Sequence, residues 1–116
     1  MKHEKMRIIK MLDEILCFSF KYEATDMNIN ISLDDEKFII QFEDDSKGVT
    51  QEKVEEIKEL LNVDKQPEME EYYWELAGQQ DFCDEFTLVG LMTDKANVHY
   101  DPDKGLCLTL YRKFND

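Results

Sequence analysis

The order of the elements that the sequence predicts indicates an α+β fold: a two-layer sandwich of helices on one face of a mixed, mainly antiparallel sheet. Two observations lead to this fold class. Apolar residues recur at three- and four-residue steps in several segments, as in amphipathic helices, and alternate with polar residues in two pairs of segments, as in hairpins. The chain has 116 residues, a length that suits one domain covering residues 1–116.

The N-terminal part predicts a helix followed by a hairpin. Residues 3–21 place their apolar side chains along one stripe. Residues 28–33 alternate between apolar and polar side chains, and the segment from Phe38 to Phe42 alternates again, so both read as strands. The acidic run 34–36 between them predicts the turn of the hairpin.

Three more helices and a second hairpin are predicted after the first. The Thr50 hydroxyl can cap a helix that ends at Asn62. The remaining predicted elements are a helix at 68–77, a polar loop at 79–85, a helix at 86–93, and strands at 97–100 and 106–111 that flank a turn.

Charge and cysteine usage narrow the class of protein. The formal net charge is -13, which repels a nucleic-acid backbone and favours a basic protein partner or a cation held by carboxylates. The alternative is that the charge only gives solubility. The N-terminal sequence has no signal-peptide core, and no run approaches the ~20 apolar residues of a membrane helix. Cys17, Cys83 and Cys107 are odd in number and widely spaced. They read as free thiols, with Cys17 and Cys107 buried, which predicts a reducing, cytoplasmic location.

Three motifs accompany this element order. The first predicted helix ends in Phe18-Ser19-Phe20-Lys21-Tyr22, the second strand runs into Asp44-Asp45-Ser46-Lys47-Gly48, and residues 81–87 lead into Leu88-Val89-Gly90-Leu91-Met92. Together they resemble the ATP-binding domain of the histidine-kinase, gyrase and heat-shock-chaperone superfamily (GHKL), which has the Bergerat fold. The resemblance covers about residues 11–111. It implies a pocket for ATP or ADP between the helices and the sheet.

The first motif resembles the N box of that family, in which an Asn binds the Mg²⁺ that bridges the phosphates. Phe18 stands in its place and has no oxygen to offer a hard cation. The Lys-Tyr end of the motif is kept, which makes Lys21 a nucleotide-binding candidate. Glu14 lies one helical turn before Phe18, where hydrolysing members carry a general base; the alternative is a solvated helix residue.

The second motif resembles the G1 box, whose Asp binds the adenine amine and whose glycines let the backbone approach the base. Asp44 and Gly48 match it and are nucleotide-binding candidates, whereas Ser46 replaces the first glycine and resists a positive φ. The alternative is an ordinary strand-to-helix turn, in which the same residue types are common.

The third motif stands where the family has a Gly-x-Gly lid over the triphosphate. Residues 81–87 contain no glycine and no basic side chain, and they carry three carboxylates, which would repel a triphosphate. Together with Phe18, this segment predicts no metal site and no competent Mg-ATP chemistry.

A helix rich in aromatic residues and carboxylates is predicted just before that segment. It carries Tyr72, Tyr73 and Trp74, residue types that are enriched at interaction hot spots. The same pattern also fits a core helix with a solvated face. We interpret the three aromatic residues as candidates for a partner surface.

The sequence favours a degenerate ATPase-like domain that acts as a regulatory or protein-interaction module. The alternative is an adenine-nucleotide or small-ligand binder that uses Asp44 and Gly48 without Mg²⁺. Enzymatic hydrolysis through Glu14 has the least support, because the metal ligand and the lid are missing. No required cofactor follows from the motifs, and they set no oligomeric state.

Overall fold

A single antiparallel sheet forms one layer of the molecule, and helices form the other. A computed structural model describes residues 4–62 and 86–113. The elements in chain order are α1 (Glu4–Lys21), β1 (Met27–Leu33), β2 (Lys37–Asp44), α2 (Gln51–Asn62), α3 (Thr87–Met92), β3 (Lys95–Asp101) and β4 (Gly105–Lys113). The predicted α+β class is therefore confirmed, and the helix predicted at 68–77 lies outside the described residues.

The sheet has the strand order β1-β2-β4-β3. Each neighbouring pair is antiparallel, so within the described residues the sheet is antiparallel rather than mixed. β1 and β2 form the first predicted hairpin, and β3 and β4 form the second. Because β4 pairs with β2, the two hairpins join at the middle of the sheet, and β1 and β3 become the edge strands.

The core lies between the sheet and the helices. On the central strands, Phe42 pairs with Leu108 and Ile40 with Leu110, and all four side chains are buried. Alternation along a strand sends the neighbouring residues to the other face. The helices contribute one buried stripe each, with Met11, Ile15 and Phe18 from α1 and Val54, Ile57 and Leu61 from α2. Both stripes have the three- and four-residue spacing of an amphipathic helix. The stripe of α1 differs from the predicted one in its members, because Ile9 is 53% exposed whereas Met11 and Phe18 are fully buried.

A buried ion pair ties the beginning of α1 to the end of the sheet. Arg112 donates from Nε to Glu4 Oε2 at 3.0 Å and from Nη2 to Glu4 Oε1 at 3.1 Å. Its Nη1 also donates to the carbonyl oxygen of Met92 at 2.8 Å. The guanidinium group of β4 therefore holds α1 and the end of α3 at the same time, because its N–H donors lie in one plane and point in different directions.

The cysteines differ from the prediction. Cys17 is disulfide-bonded rather than free. Cys107 is a free thiol, but it lies exposed on the outer face of the sheet, because its neighbours Leu106 and Leu108 face the core. Desolvation and then the charge of Glu43 raise the pKa of the Cys107 thiol. The predicted cytoplasmic location therefore loses one of its arguments and stays a prediction. Within the described residues, no helix is long and apolar enough to cross a membrane.

Candidate functional site at the end of β2

Asp44 is the last residue of β2 and is buried, with 8% of its surface exposed. Its carboxylate joins three parts of the fold. Its Oδ1 accepts hydrogen bonds from the backbone N–H of Ser46 and of Leu106, both at 3.0 Å. Its Oδ2 accepts one from the Ser19 hydroxyl at 2.6 Å. We call Asp44, Ser19, Ser46 and Leu106 the Asp44 junction. It links α1, the turn after β2 and the first residues of β4.

Gly105 allows this close approach. Its φ is +120°, and a Cβ at this position would lie 2.0 Å from the backbone oxygen of Asp44. No other residue type fits that space without moving the backbone. Leu106 follows Gly105, and its backbone N–H donates to the Asp44 carboxylate.

Asp45 fastens the same turn to the chain that follows α1. Its Oδ1 accepts from the N–H groups of Thr25 at 2.7 Å and Asp26 at 3.1 Å, and its Oδ2 accepts from the Thr25 hydroxyl at 2.8 Å. The Thr25 hydroxyl, followed by these two N–H groups, lowers the pKa of the Asp45 carboxyl from 3.8 to about 2. Hydrogen bonds to the charged form act in this direction.

The rest of the turn has one buried polar group and one open position. Tyr100 donates its hydroxyl to the carbonyl of Ser46 at 3.1 Å and accepts from the N–H of Val49 at 3.4 Å. The Ser46 side chain is 1% exposed, and its Oγ has no hydrogen-bond partner within the described residues. Gly48 has a φ of +77°, with no atom within 4 Å of the place a Cβ would take. The positive φ of the turn therefore falls at Gly48 and not at Ser46.

Phe18 packs in an aromatic cluster beside the junction. It is fully buried, and its ring centroid lies 4.6 Å from that of Tyr22 and 4.7 Å from that of Phe86. The rings are tilted at about 40°, an arrangement that aromatic pairs favour. Ser19, the next residue of α1, belongs to the Asp44 junction, so the cluster and the junction share the last turn of this helix.

Glu14 binds the first turn of α3. Its Oε1 accepts from the N–H of Val89 at 2.8 Å and its Oε2 from the N–H of Leu88 at 3.3 Å. Phe86, the N-cap residue, has a left-handed backbone and gives no side-chain cap. A carboxylate from α1 therefore satisfies two of the N–H groups that a helix leaves unpaired at its start. This contact differs from the predicted alternative of a solvated residue, since Glu14 is 4% exposed. Its catalytic role stays a prediction.

The structure brings together only some of the predicted site residues. Asp44 and Gly48 share one turn, and Lys21 lies exposed at the end of α1, two residues after Ser19. Tyr72, Tyr73 and Trp74 lie outside the described residues. No group of three His, Cys, Asp or Glu side chains within residues 4–62 and 86–113 is arranged to hold a metal ion.

Sequence reasoning missed four partners of this site: Ser19, Thr25, Tyr100 and the backbone of Leu106. All four lie 20 or more positions from the residue they contact. One signal was present, because Ser19 is a polar residue on the apolar stripe of α1 and so needs a buried hydrogen-bond partner.

A shallow cavity of about 350 Å³ lies over the outer face of β1, β2 and β4, away from the junction. Its polar lining comes from Asn28, Asn30, Gln41, Glu43, Cys107 and Thr109.

No protein-family model matches the chain, and no curated protein matches it significantly.

Proposed function

We propose that this chain is a degenerate ATPase-like domain of the GHKL type, which acts as a regulatory or protein-interaction module without Mg-ATP chemistry. The aromatic cluster of Phe18 is the observation that carries the proposal. In the family that the sequence resembles, this position offers an oxygen to Mg²⁺ next to the phosphates. A fully buried phenyl ring between two other rings offers neither a ligand nor space.

The hydrogen bonds of Asp44 support the same proposal. Both of its oxygens already accept hydrogen bonds, and the shortest, from the Ser19 hydroxyl at 2.6 Å, has the length of a strong charge-assisted bond. An adenine amine would have to compete with that hydroxyl for the carboxylate of a buried residue, since Asp44 as a whole is 8% exposed. We therefore assign Asp44 to fold stabilisation.

A protein partner with a basic surface fits the charge of this chain. The net charge is -13, and the exposed side of α2 presents Glu52, Glu55, Glu56 and Glu59. Such a field accelerates encounters with positively charged partners and disfavours nucleic acid. Tyr72, Tyr73 and Trp74 remain our candidates for contact anchors, and the cytoplasm remains the proposed location.

Calorimetric titration with ATP and with ADP, each with and without Mg²⁺, tests the loss of nucleotide chemistry. We expect no binding heat up to millimolar nucleotide, and the same result for Asp44→Asn. Micromolar binding that requires Mg²⁺ would overturn the proposal, because the site beside Phe18 would then have to hold a metal after all.

The second candidate function is Mg²⁺-independent binding of an adenine nucleotide or another small ligand through Asp44 and Gly48. Two observations favour it: the buried Ser46 Oγ has no hydrogen-bond partner within the described residues, and the position beside Gly48 is open. A native structure rarely leaves a buried hydroxyl without a partner. In that case ATP or ADP binds equally with and without Mg²⁺. Asp44→Asn abolishes the binding heat and Ser46→Ala reduces it, while both variants stay folded.

A further inference from the structure

We propose that β1 is the interface through which two copies of this chain pair antiparallel, so that their two sheets become one continuous sheet. The proposal rests on the edge of the sheet alone and holds whichever function the Asp44 junction serves. An exposed edge strand presents a row of unpaired backbone N–H and C=O groups, which proteins usually protect.

The two edges of this sheet are treated differently. At the β3 edge, α2 packs against the strand, and Asn62 Oδ1 accepts a hydrogen bond from the backbone N–H of Ala96 at 3.1 Å. β3 also carries a charge at each end, Lys95 and Asp101. Both devices block the addition of a further strand.

Within the described residues, the β1 edge has neither of these protections. The strand Met27-Asn28-Ile29-Asn30-Ile31-Ser32-Leu33 contains no charged residue and no proline, in a chain of which 35% of the residues are charged. Within the described residues, no side chain hydrogen-bonds to the backbone of this strand. It is also the only strand of the described sheet without a charged residue.

Apolar side chains on β1 lie on the core face of the sheet but remain partly exposed. Ile29 pairs with Phe42 and Leu33 with Phe38, so both point to the side on which the core lies. Phe38 and Phe42 are fully buried, whereas Ile29 is 40% and Leu33 47% exposed. A second sheet joined at this edge would bring its own apolar row beside this one and cover both.

The occupant that fits is a second copy, because the strand is complementary to itself. In an antiparallel pair centred on Asn30, Ile29 of one copy lies opposite Ile31 of the other, and Met27 lies opposite Leu33. Apolar residues then face apolar residues on one side, and the amides and hydroxyls of Asn28, Asn30 and Ser32 meet on the other. A chain with a net charge of -13 repels its own copy, so a neutral strip is where self-association costs least.

The geometry also sets the stoichiometry and the salt response. A two-fold pairing uses each β1 edge once, and the β3 edge is blocked, so association stops at a dimer. The acidic residues that flank β1, including Asp26 and Asp34, come close across the pair and oppose it. Salt screens that repulsion, so the dimer becomes more stable as ionic strength rises. An interface this small suggests a Kd on the order of micromolar or weaker.

Sedimentation equilibrium of the full chain over a wide concentration range, at low and at high NaCl, tests the proposal. Asn30→Lys places two like charges at the centre of the pair while its side chain stays on the outer face. Asn97→Lys is the matched control, because it makes the same substitution at an exposed site on the outer face of the other edge strand. Far-UV circular dichroism and thermal unfolding check that both variants fold.

We expect the parent chain and Asn97→Lys to dimerise alike, with a Kd that falls several-fold at high salt, and Asn30→Lys to weaken the dimer at least tenfold. Amide hydrogen exchange of residues 27–33 should slow as protein concentration rises. A monomeric parent at millimolar concentration would overturn the proposal and leave the edge for a strand of another protein. A dimer that salt weakens, one that both variants weaken equally, or growth beyond a dimer would overturn it as well.

Discussion

Replacing Asp44 with Ala tests whether its carboxylate stabilises the fold, and the hydrogen bonds in the structure give the expected loss in the free energy of unfolding. The substitution removes the acceptor of three hydrogen bonds, two of them from backbone N–H groups in a buried region. Those two N–H groups, of Ser46 and Leu106, cannot turn toward other acceptors because the turn and β4 fix them.

Each buried donor left without a partner costs about 1–3 kcal/mol. The two N–H groups and the weakened contact with Ser19 together predict a loss of about 4 kcal/mol in the free energy of unfolding. That is a large share of the roughly 5–15 kcal/mol that stabilises a domain of this kind. Asp44→Asn keeps an oxygen in the place of Oδ1 for the two backbone N–H groups. Its amide nitrogen replaces Oδ2, so the Ser19 hydroxyl loses its acceptor and has to turn to accept from the amide, at a cost of about 1 kcal/mol.

Urea unfolding followed by circular dichroism measures both values, and the slope m checks that the transition stays two-state. Thermal unfolding should show Asp44→Ala melting roughly 10 °C or more below the parent. If Asp44→Ala costs less than about 1 kcal/mol, or no more than Asp44→Asn, water or a relaxed turn serves the two N–H groups. This stabilising role would then be refuted.

Three further predictions concern the same region. Gly105→Ala should lower the free energy of unfolding by more than about 3 kcal/mol, because the new Cβ would lie 2.0 Å from the Asp44 carbonyl oxygen. Gly48→Ala is the control: its Cβ would meet no atom within 4 Å, so only the positive φ costs stability, about 1 kcal/mol. Urea unfolding of both variants measures the difference. Folding lowers the pKa of Asp45 from 3.8 to about 2, so the carboxylate stabilises the fold above about pH 4 and loses this effect as the pH drops toward 2. Asp45→Asn should therefore reduce the dependence of stability on pH in this acidic range. A pH dependence equal to that of the parent would exclude the effect. Glu14→Ala should cost about 2 kcal/mol because two N–H groups at the start of α3 lose their acceptor, and a stability equal to that of the parent would contradict the capping role.

Much of the fold could be predicted because most of its elements have a recognisable local sequence pattern. The stripe of α1 and the alternation of the strands follow from periodicity, and the observed α1, Glu4–Lys21, lies within one residue of the predicted helix. The pairing of β2 with β4 could not be read in this way, because it joins residues about 70 positions apart that carry no mutual signal in one sequence. Cys107 shows the same limit: its apolar neighbours suggested burial, but the pleat sends it to the outer face.

The contacts of the candidate site could not be predicted from the sequence. Asp44, Gly48 and Glu14 were singled out because short motifs around them resemble those of a known family, and a motif is a local property. What each one does depends on which distant N–H groups meet it: Leu106 for Asp44, and Leu88 and Val89 for Glu14. These hydrogen bonds depend on how α1 and β4 pack against β2.

The contacts of Asp44 bear on how much a motif of this kind says about activity. Its carboxylate accepts two backbone N–H groups that would otherwise be buried without partners, and Glu14 does the same for α3. Neither residue can be removed cheaply, even in a domain that binds nothing. Phe18 is different: under the proposed function it replaces a metal-binding side chain, which would contribute little to folding without its metal, whereas a buried aromatic ring contributes several kcal/mol. A domain that has lost its ligand should therefore keep the carboxylates that hold its backbone and replace the polar groups that faced only the ligand. Under the proposed function, Asp44 and Glu14 belong to the first group and Phe18 to the second.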